Sequence, residues 1–254
     1  MEELFSIKGK KGIITGASGG IGSTLAQALA SRGAMLGLVD IDTSKSGQMA
    51  KPLEQEFGVT VKAYECDVTN PDSVNAMMDA FVEDFGQLDF ILNNAGIANI
   101  EKAIDISYDD FKKVIDVNLN GVFLTAQAAA KVMKNQKSGG SIINTASMSA
   151  HVINIPQTIA NYCASKAGVK NLTKALAVEW AEMGIRVNSV SPGYIETELV
   201  AEMKSYHAAW KSKIPMDRLG TPEDLIGLFV YLISDSSAYM TGSDLIIDGG
   251  YTSL

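Results

Sequence analysis

Seven apolar runs rich in β-branched residues, near 11–15, 35–40, 60–66, 88–93, 140–146, 185–191 and 244–248, alternate with helical patterns along the chain. Strands with few polar positions need cover on both faces, the condition met by a parallel sheet with helices on each side. The intervening segments fit. Helical periodicity runs from Gly20 to Arg32, from Thr43 to Phe57 and from Pro71 to Phe85. Ser107 and Asp110 resemble a capping box opening a long helix that continues to Lys134. Thr221 precedes Pro222, Glu223 and Asp224, a capping hydroxyl, a first-turn proline and two acids suited to the positive end of a last long helix. No linker, repeat or low-complexity tract interrupts this order. The expectation is a single doubly wound α/β domain over 1–254, a seven-stranded parallel sheet with helices on both faces. An irregular excursion at 192–215 lies outside the sheet and supplies a lid over about 194–215.

Composition narrows the partners. The chain has 254 residues, 46% of them apolar, with 21 basic and 29 acidic side chains and a formal charge of −8. That excess of acid argues against a nucleic-acid surface or an anionic membrane and favours a small-molecule partner. Cys66 and Cys163 are far apart, so reduced thiols in a cytoplasmic protein are expected rather than a disulfide framework. The opening "MEELFSIKGKKGIITG" carries acids where an export signal needs bases, and no apolar run approaches the length of a membrane span. His151 and His207 have no acid or cysteine cluster at ligand spacing, so no metal is expected.

The first strand enters "TGASGGIG", residues 15–22, and then a helix. Strand, glycine turn and helix in this order aim free backbone N–H groups and a helix dipole at a pyrophosphate. The spacing of Gly16, Gly20 and Gly22 differs from G-x-G-x-x-G, and no Walker lysine follows. A glycine turn without a ligand is the plainer alternative. Asp40 ends the second strand eighteen residues after Gly22. An acid there accepts both hydrogen bonds of an adenosine ribose and repels a 2′-phosphate, favouring NAD over NADP. Gly19 and Ile41 offer that phosphate no basic side chain. Asp42 is a possible substitute, although capping the next helix suits it better.

"NYCASKAG", residues 161–168, puts Tyr162 and Lys166 four apart, on one face of a helix. Alone, that pair is equally a helix edge with a snorkelling lysine. Together with "TGASGGIG", "NNAG" at 93–96, "VNLNG" at 117–121, "SPG" at 191–193 and the closing "TGSDLIIDGG", it resembles the short-chain dehydrogenase/reductase family from end to end. The resemblance implies a Rossmann fold, a nicotinamide cofactor and four residues at the chemistry, Asn118, Ser147, Tyr162 and Lys166. Tyrosine, with an ordinary pKa of about 10, is a poor acid or base at neutral pH, and a nearby ammonium favours its ionised form. Lys166 is expected to supply that charge and to bond the nicotinamide ribose. Ser147 would hold the substrate oxygen, and Asn118 a water that relays the proton. Ser147 lies fifteen residues before Tyr162, two more than is common in the family, whereas Ser149 lies at thirteen. Ser147 is preferred for its place at the strand end; Ser149 remains the alternative.

The resemblance also distributes cofactor contacts. Gly16, Ser18, Gly20, Ile21 and Gly22 would cradle the phosphates, with Asp40 and Ile41 at the adenosine ribose. Asp67 and Val68 would meet the adenine, and Asn94, Ala95 and Gly96 the ribose. Pro192, Gly193, Ile195 and Thr197 would lie at the nicotinamide.

For substrate, the loop 148–160 and the excursion 198–215 are the expected walls. Ser149, His151, Asn154, Gln157 and Glu196 offer polar contacts, with Ser149 and Gln157 the chosen ones; Ile153, Ile155, Tyr206 and Trp210 offer apolar surface. "SMSAHVINIPQ", "SPGYIETEL" and "IPMDRLG" look most similar to the polyol dehydrogenase and ketose reductase branch, which implies a sugar alcohol and its ketose. Gluconate 5-dehydrogenases and 3-oxoacyl thioester reductases are the neighbouring alternatives, for which Lys204, Lys211, Lys213 and Arg218 are the nearby bases. A non-catalytic nucleotide sensor is the alternative of a different class. The apolar end "DLIIDGGYTSL" suggests a surface to be covered, in the family commonly within a homotetramer.

Overall fold

The computed structural model describes residues 2–201 and 203–254; Met1 and Glu202, the latter inside the expected lid, lie outside the described residues. Among them, one sheet holds β1 (Lys11–Thr15), β2 (Met35–Asp40), β3 (Val61–Glu65), β4 (Phe90–Asn93), β5 (Gly140–Thr145), β6 (Ile185–Pro192) and β7 (Asp244–Ile247), in the order β3-β2-β1-β4-β5-β6-β7. Every pairing is parallel. The order reverses between β1 and β4, and the crevice beyond the carboxyl ends of these strands is where such sheets receive ligands.

Alternation along each strand fills two cores. Ile14, Leu36, Leu38, Phe90, Leu92, Ile143 and Val190 face one side with α1 (Gly20–Ala30), α2 (Thr43–Phe57) and α9 (Glu223–Ile233). Ile13, Val39, Ile91, Ile142 and Val187 face the other with α3 (Pro71–Phe85), α5 (Gly121–Gln136) and α6 (Ala160–Trp180). Gly12 is required by this packing, since a Cβ there would fall 2.2 Å from the Phe90 ring.

Two helix expectations need correction. Ser107 does cap α4 (Tyr108–Ile115), accepting the Asp110 N–H at 3.0 Å, but the helix to Lys134 is not continuous. A π-turn at Asp116–Asn120 separates α4 from α5. Such an insertion changes neither composition nor apolar content, and it is common at functional sites. At α9 the Thr221 hydroxyl does not cap; Asp224 instead accepts the Thr221 N–H at 2.8 Å. The excursion contains the short helices α7 (Glu198–Ala201) and α8 (His207–Lys211).

Candidate active site

The carboxyl ends of β1 to β4 open into a groove of about 630 Å³. Gly16, Ser18, Gly20 and Ile21 form one wall; Asp40, Ile41, Asp67 and Val68 close the end beyond β2 and β3. Gly16 takes a φ of +64°, and a Cβ at Gly22 would lie 2.2 Å from the Gly16 carbonyl oxygen, so the turn needs both glycines. Ser18 donates its N–H to Asp40 Oδ2 at 3.0 Å, and Ile41 donates to Oδ1 at 2.9 Å. The Ser18 Oγ itself is buried without a partner. A narrow glycine cradle, an orphan hydroxyl and a fixed carboxylate fit a dinucleotide, whose oxygens would complete the hydroxyl's bonding.

Asp67 accepts from the Thr69 N–H and hydroxyl on Oδ1 alone, leaving Oδ2 for a donor in the groove. Asn94 Nδ2 reaches the Thr15 and Gly16 carbonyls, both at 3.3 Å, so its side chain braces the glycine turn. Ala95, Gly96 and Thr197 line the groove, Thr197 against Gly20. Pro192, Gly193 and Ile195 do not line this groove: Pro192 ends β6, Gly193 borders the smaller pocket that Ser147 and Tyr162 also line, and the Ile195 side chain is buried in a core. Lys45, Lys113 and Val117 also line the groove, unforeseen because nothing in their sequence settings marks them.

The chemical residues converge at the groove's inner end. Lys166, on α6 with Tyr162, donates to the Thr145 carbonyl at 2.6 Å, with Nζ 5.6 Å from the Tyr162 ring centroid. Asn118, in the π-turn, accepts the Ile97 N–H at 2.8 Å and donates to the Ile97 carbonyl at 2.9 Å and to Ser165 Oγ at 3.1 Å. Gly96 lies between, where a Cβ would be 3.3 Å from Asn118 Oδ1 and 3.6 Å from Lys166 Nζ.

Ser147, just past β5, and Ser149 both face the small pocket that Tyr162 lines, with Ser147 donating to Ser149 Oγ at 3.1 Å. Burial pushes the Tyr162 phenol above its ordinary range, with the Ser147 hydrogen bond opposing, and burial pulls the Lys166 ammonium down to about 8. The same dry surroundings penalise both charged forms, and burial dominates at both groups.

Beyond Ser147 and Tyr162 lies a pocket of about 110 Å³. Ser149, Asn154 and Gln157 give it buried polar groups, and Ala98, Ile100, Met203 and Trp210 give it apolar walls. Trp210 stacks on Tyr194 at 4.1 Å between centroids. Expected wall residues Ile153 and Ile155 are instead solvent-exposed, and His151 points to Asp244 at 2.6 Å. Glu196 and Tyr206 do not line the pocket, whereas Tyr194 and Met203, passed over in the sequence, do.

A family model described as enoyl-(acyl carrier protein) reductase matches residues 16–252. A short-chain type dehydrogenase/reductase from Mycobacterium marinum superposes with a TM-score of 0.96 at 49% identity, covering 99% of this chain and 98% of that one. The chain belongs to the short-chain dehydrogenase/reductase family. It is thus an oxidoreductase of that family. Among family relatives, the sorbose reductase of Schizosaccharomyces pombe is 46% identical over the whole of both chains. An NADP-dependent mannitol dehydrogenase from Hypocrea jecorina is 41% identical, covering 98% of this chain and 95% of its own. Among the described residues, no helix is long and apolar enough to cross a membrane.

Proposed function

We propose that the protein interconverts a sugar alcohol and its ketose, with NAD as the preferred cofactor. The observation that carries this is the pocket behind Ser147 and Tyr162, where Ser149, Asn154 and Gln157 present buried hydrogen-bonding groups within apolar walls. A lining of this kind penalises substrates without hydroxyls to match it. The relatives named for sorbose and mannitol support the same reading. In it, a nicotinamide held in the groove by the glycine turn and Asp40 would supply the hydride chemistry. Ser147 holds the substrate oxygen, and Tyr162 gives that oxygen a proton or takes one from it. Lys166 anchors the cofactor ribose beside Tyr162, and Asn118 orders the backbone at Ile97 and the water leading to the lysine.

The keto-gluconate and acyl-thioester alternatives lack support in the pocket. None of Lys204, Lys211, Lys213 and Arg218 lines it, and Arg218 is held by Asp224 at 2.6 Å. For NAD stands Asp40, whose carboxylate is fixed in the groove by two N–H donors. NADP is the second reading, favoured by the mannitol relative's name and by Lys45 in the same groove, although Glu198 lies 3.9 Å from that ammonium.

Nicotinamide absorbance against a panel of ketoses and polyols, with NAD(H) and NADP(H) in parallel, tests the proposal. Fast turnover of a ketose or polyol with NAD(H) is expected, and turnover of only keto-gluconate or an acyl thioester would overturn the substrate reading. A cytoplasmic homotetramer completes the proposal. Ile246 on β7 and Val178 on α6 are exposed and apolar. A stable monomer in light scattering under assay conditions would contradict the assembly.

A further inference from the structure

The pocket's polar groups form one chain with a fixed direction. Trp210 Nε1, which can only donate, bonds Gln157 Oε1 at 2.9 Å. That choice leaves the other end of the Gln157 amide as donor, and Nε2 reaches the Tyr194 hydroxyl oxygen at 2.8 Å. Asn154 Nδ2 donates to the same oxygen at 3.0 Å. With its nitrogen so used, Asn154 turns Oδ1 to Ser149 and accepts the Ser149 hydroxyl proton at 2.5 Å. Trp210, Asn154 and Gln157 are each at most 6% exposed, so water does not scramble the order.

The consequence falls on Ser149. Its proton is committed to Asn154, so its oxygen faces the pocket as an acceptor. In the free site Ser147 fills that role, donating to Ser149 Oγ at 3.1 Å. Once Ser147 turns its proton to the reacting oxygen, Ser149 Oγ loses its donor. Two oxygens on neighbouring carbons, when gauche, stand at a spacing comparable to that of the two serine hydroxyls.

We propose that Ser149 is the residue that recognises a hydroxyl on the carbon next to the reacting one, and that Trp210 sets this preference from a distance through Gln157, Tyr194 and Asn154. The substrate class is then an α-hydroxyketone or vicinal diol. Ser149 touches that substrate; the other four are positioning residues. The inference rests on the ketose-reductase reading and adds to it the atom that discriminates.

The test compares kcat/KM for 1-hydroxy-2-butanone and 2-butanone, each with saturating NADH, in wild type, Trp210→Phe and Ser149→Ala. An unmatched buried acceptor disfavours the plain ketone, so the wild-type ratio is expected to be about tenfold or more. Trp210→Phe keeps an aromatic ring against Tyr194 and deletes the N–H, freeing Gln157 to invert; the ratio should fall to about threefold or less. Ser149→Ala should bring it near one. A merely structural network would lower thermal stability and leave the ratio where it was. If Trp210→Phe fails to fold, Asn154→Leu, which removes the acceptor from Ser149, must collapse the ratio in the same way. Turnover of both ketones at equal rates, or a ratio unmoved in the variants, overturns the inference and leaves the ketose-reductase reading standing. Turnover of neither, with ketoses inert as well, overturns both.

Discussion

Lys166 is buried at the inner end of the groove, and its ammonium is drawn down to about 8 while its Nζ remains bonded to the Thr145 carbonyl. It is mostly charged at neutral pH and loses that charge as pH rises past 8. On the proposed mechanism Tyr162 delivers a proton in the reductive direction and Lys166 helps to replace it, so kcat/KM for ketone reduction should fall above about pH 8. Stability should move the other way. A lysine whose folded pKa lies below its unfolded value, ordinarily about 10.4, makes folding costlier while it is charged in both states. That cost is relieved between about 8 and the unfolded value. The difference in unfolding free energy between wild type and Lys166→Met, measured by urea titration across this window, should therefore shift in favour of wild type as pH rises. Asp40 makes a separate prediction. Asp40→Ala should narrow the gap between NADH and NADPH, chiefly by tightening NADPH, in fluorescence titrations that need no turnover. If NADPH already binds the wild type more tightly than NADH, the NAD assignment falls.

Among the elements, the strands were the most legible, since runs such as Gly12–Ile14 and Ile91–Leu92 are apolar on both faces and admit few other placements. The stretch after Ser107 was less so. Asn118 falls within the segment expected as one helix, where a side-chain amide is a poor helix former, and the π-turn explains its presence: the amide pairs with both backbone groups of Ile97, as another peptide would. The chemistry of an amide was readable, but not the turn that aims it. Asn118→Ala should cut kcat by about tenfold or more, since Ile97 loses both partners beside Lys166. Ser107→Ala, which removes only the cap of α4, should cost about 1 kcal/mol in chemical denaturation with kcat unchanged. Together the two variants separate the start of this helical segment from the turn within it. The substrate loop was misread at His151, Ile153 and Ile155 because a loop carries no periodicity to tell inward residues from outward ones, and here Met148, Ser149, Asn154, Gln157 and Ile159 turn inward.

At the scale of the whole molecule, the fold holds the site by placing its parts on loops above a rigid sheet. Phe90, fully buried in β4 beside Gly12, packs in the core under the crevice. Phe90→Ala should cost about 3–5 kcal/mol, read as a lower urea midpoint at unchanged slope. The end-to-end motif order made the fold legible, because "TGASGGIG", "NNAG" and "SPG" sit at strand ends, which converge in this topology, while "VNLNG" spans the π-turn and "YCASK" opens α6. The pocket was not legible to the same degree, because its walls come from segments that meet only after folding: 98–100, 147–159, 194 and 200–210. Those segments lie outside the strands, and the groove rests on a largely different set of residues. A library diversified at Ala98, Ile100, Val200 and Met203 would explore new substrates while leaving the glycine turn and Asp40 untouched. The two chambers share no lining residue, so either can be rebuilt without disturbing the other.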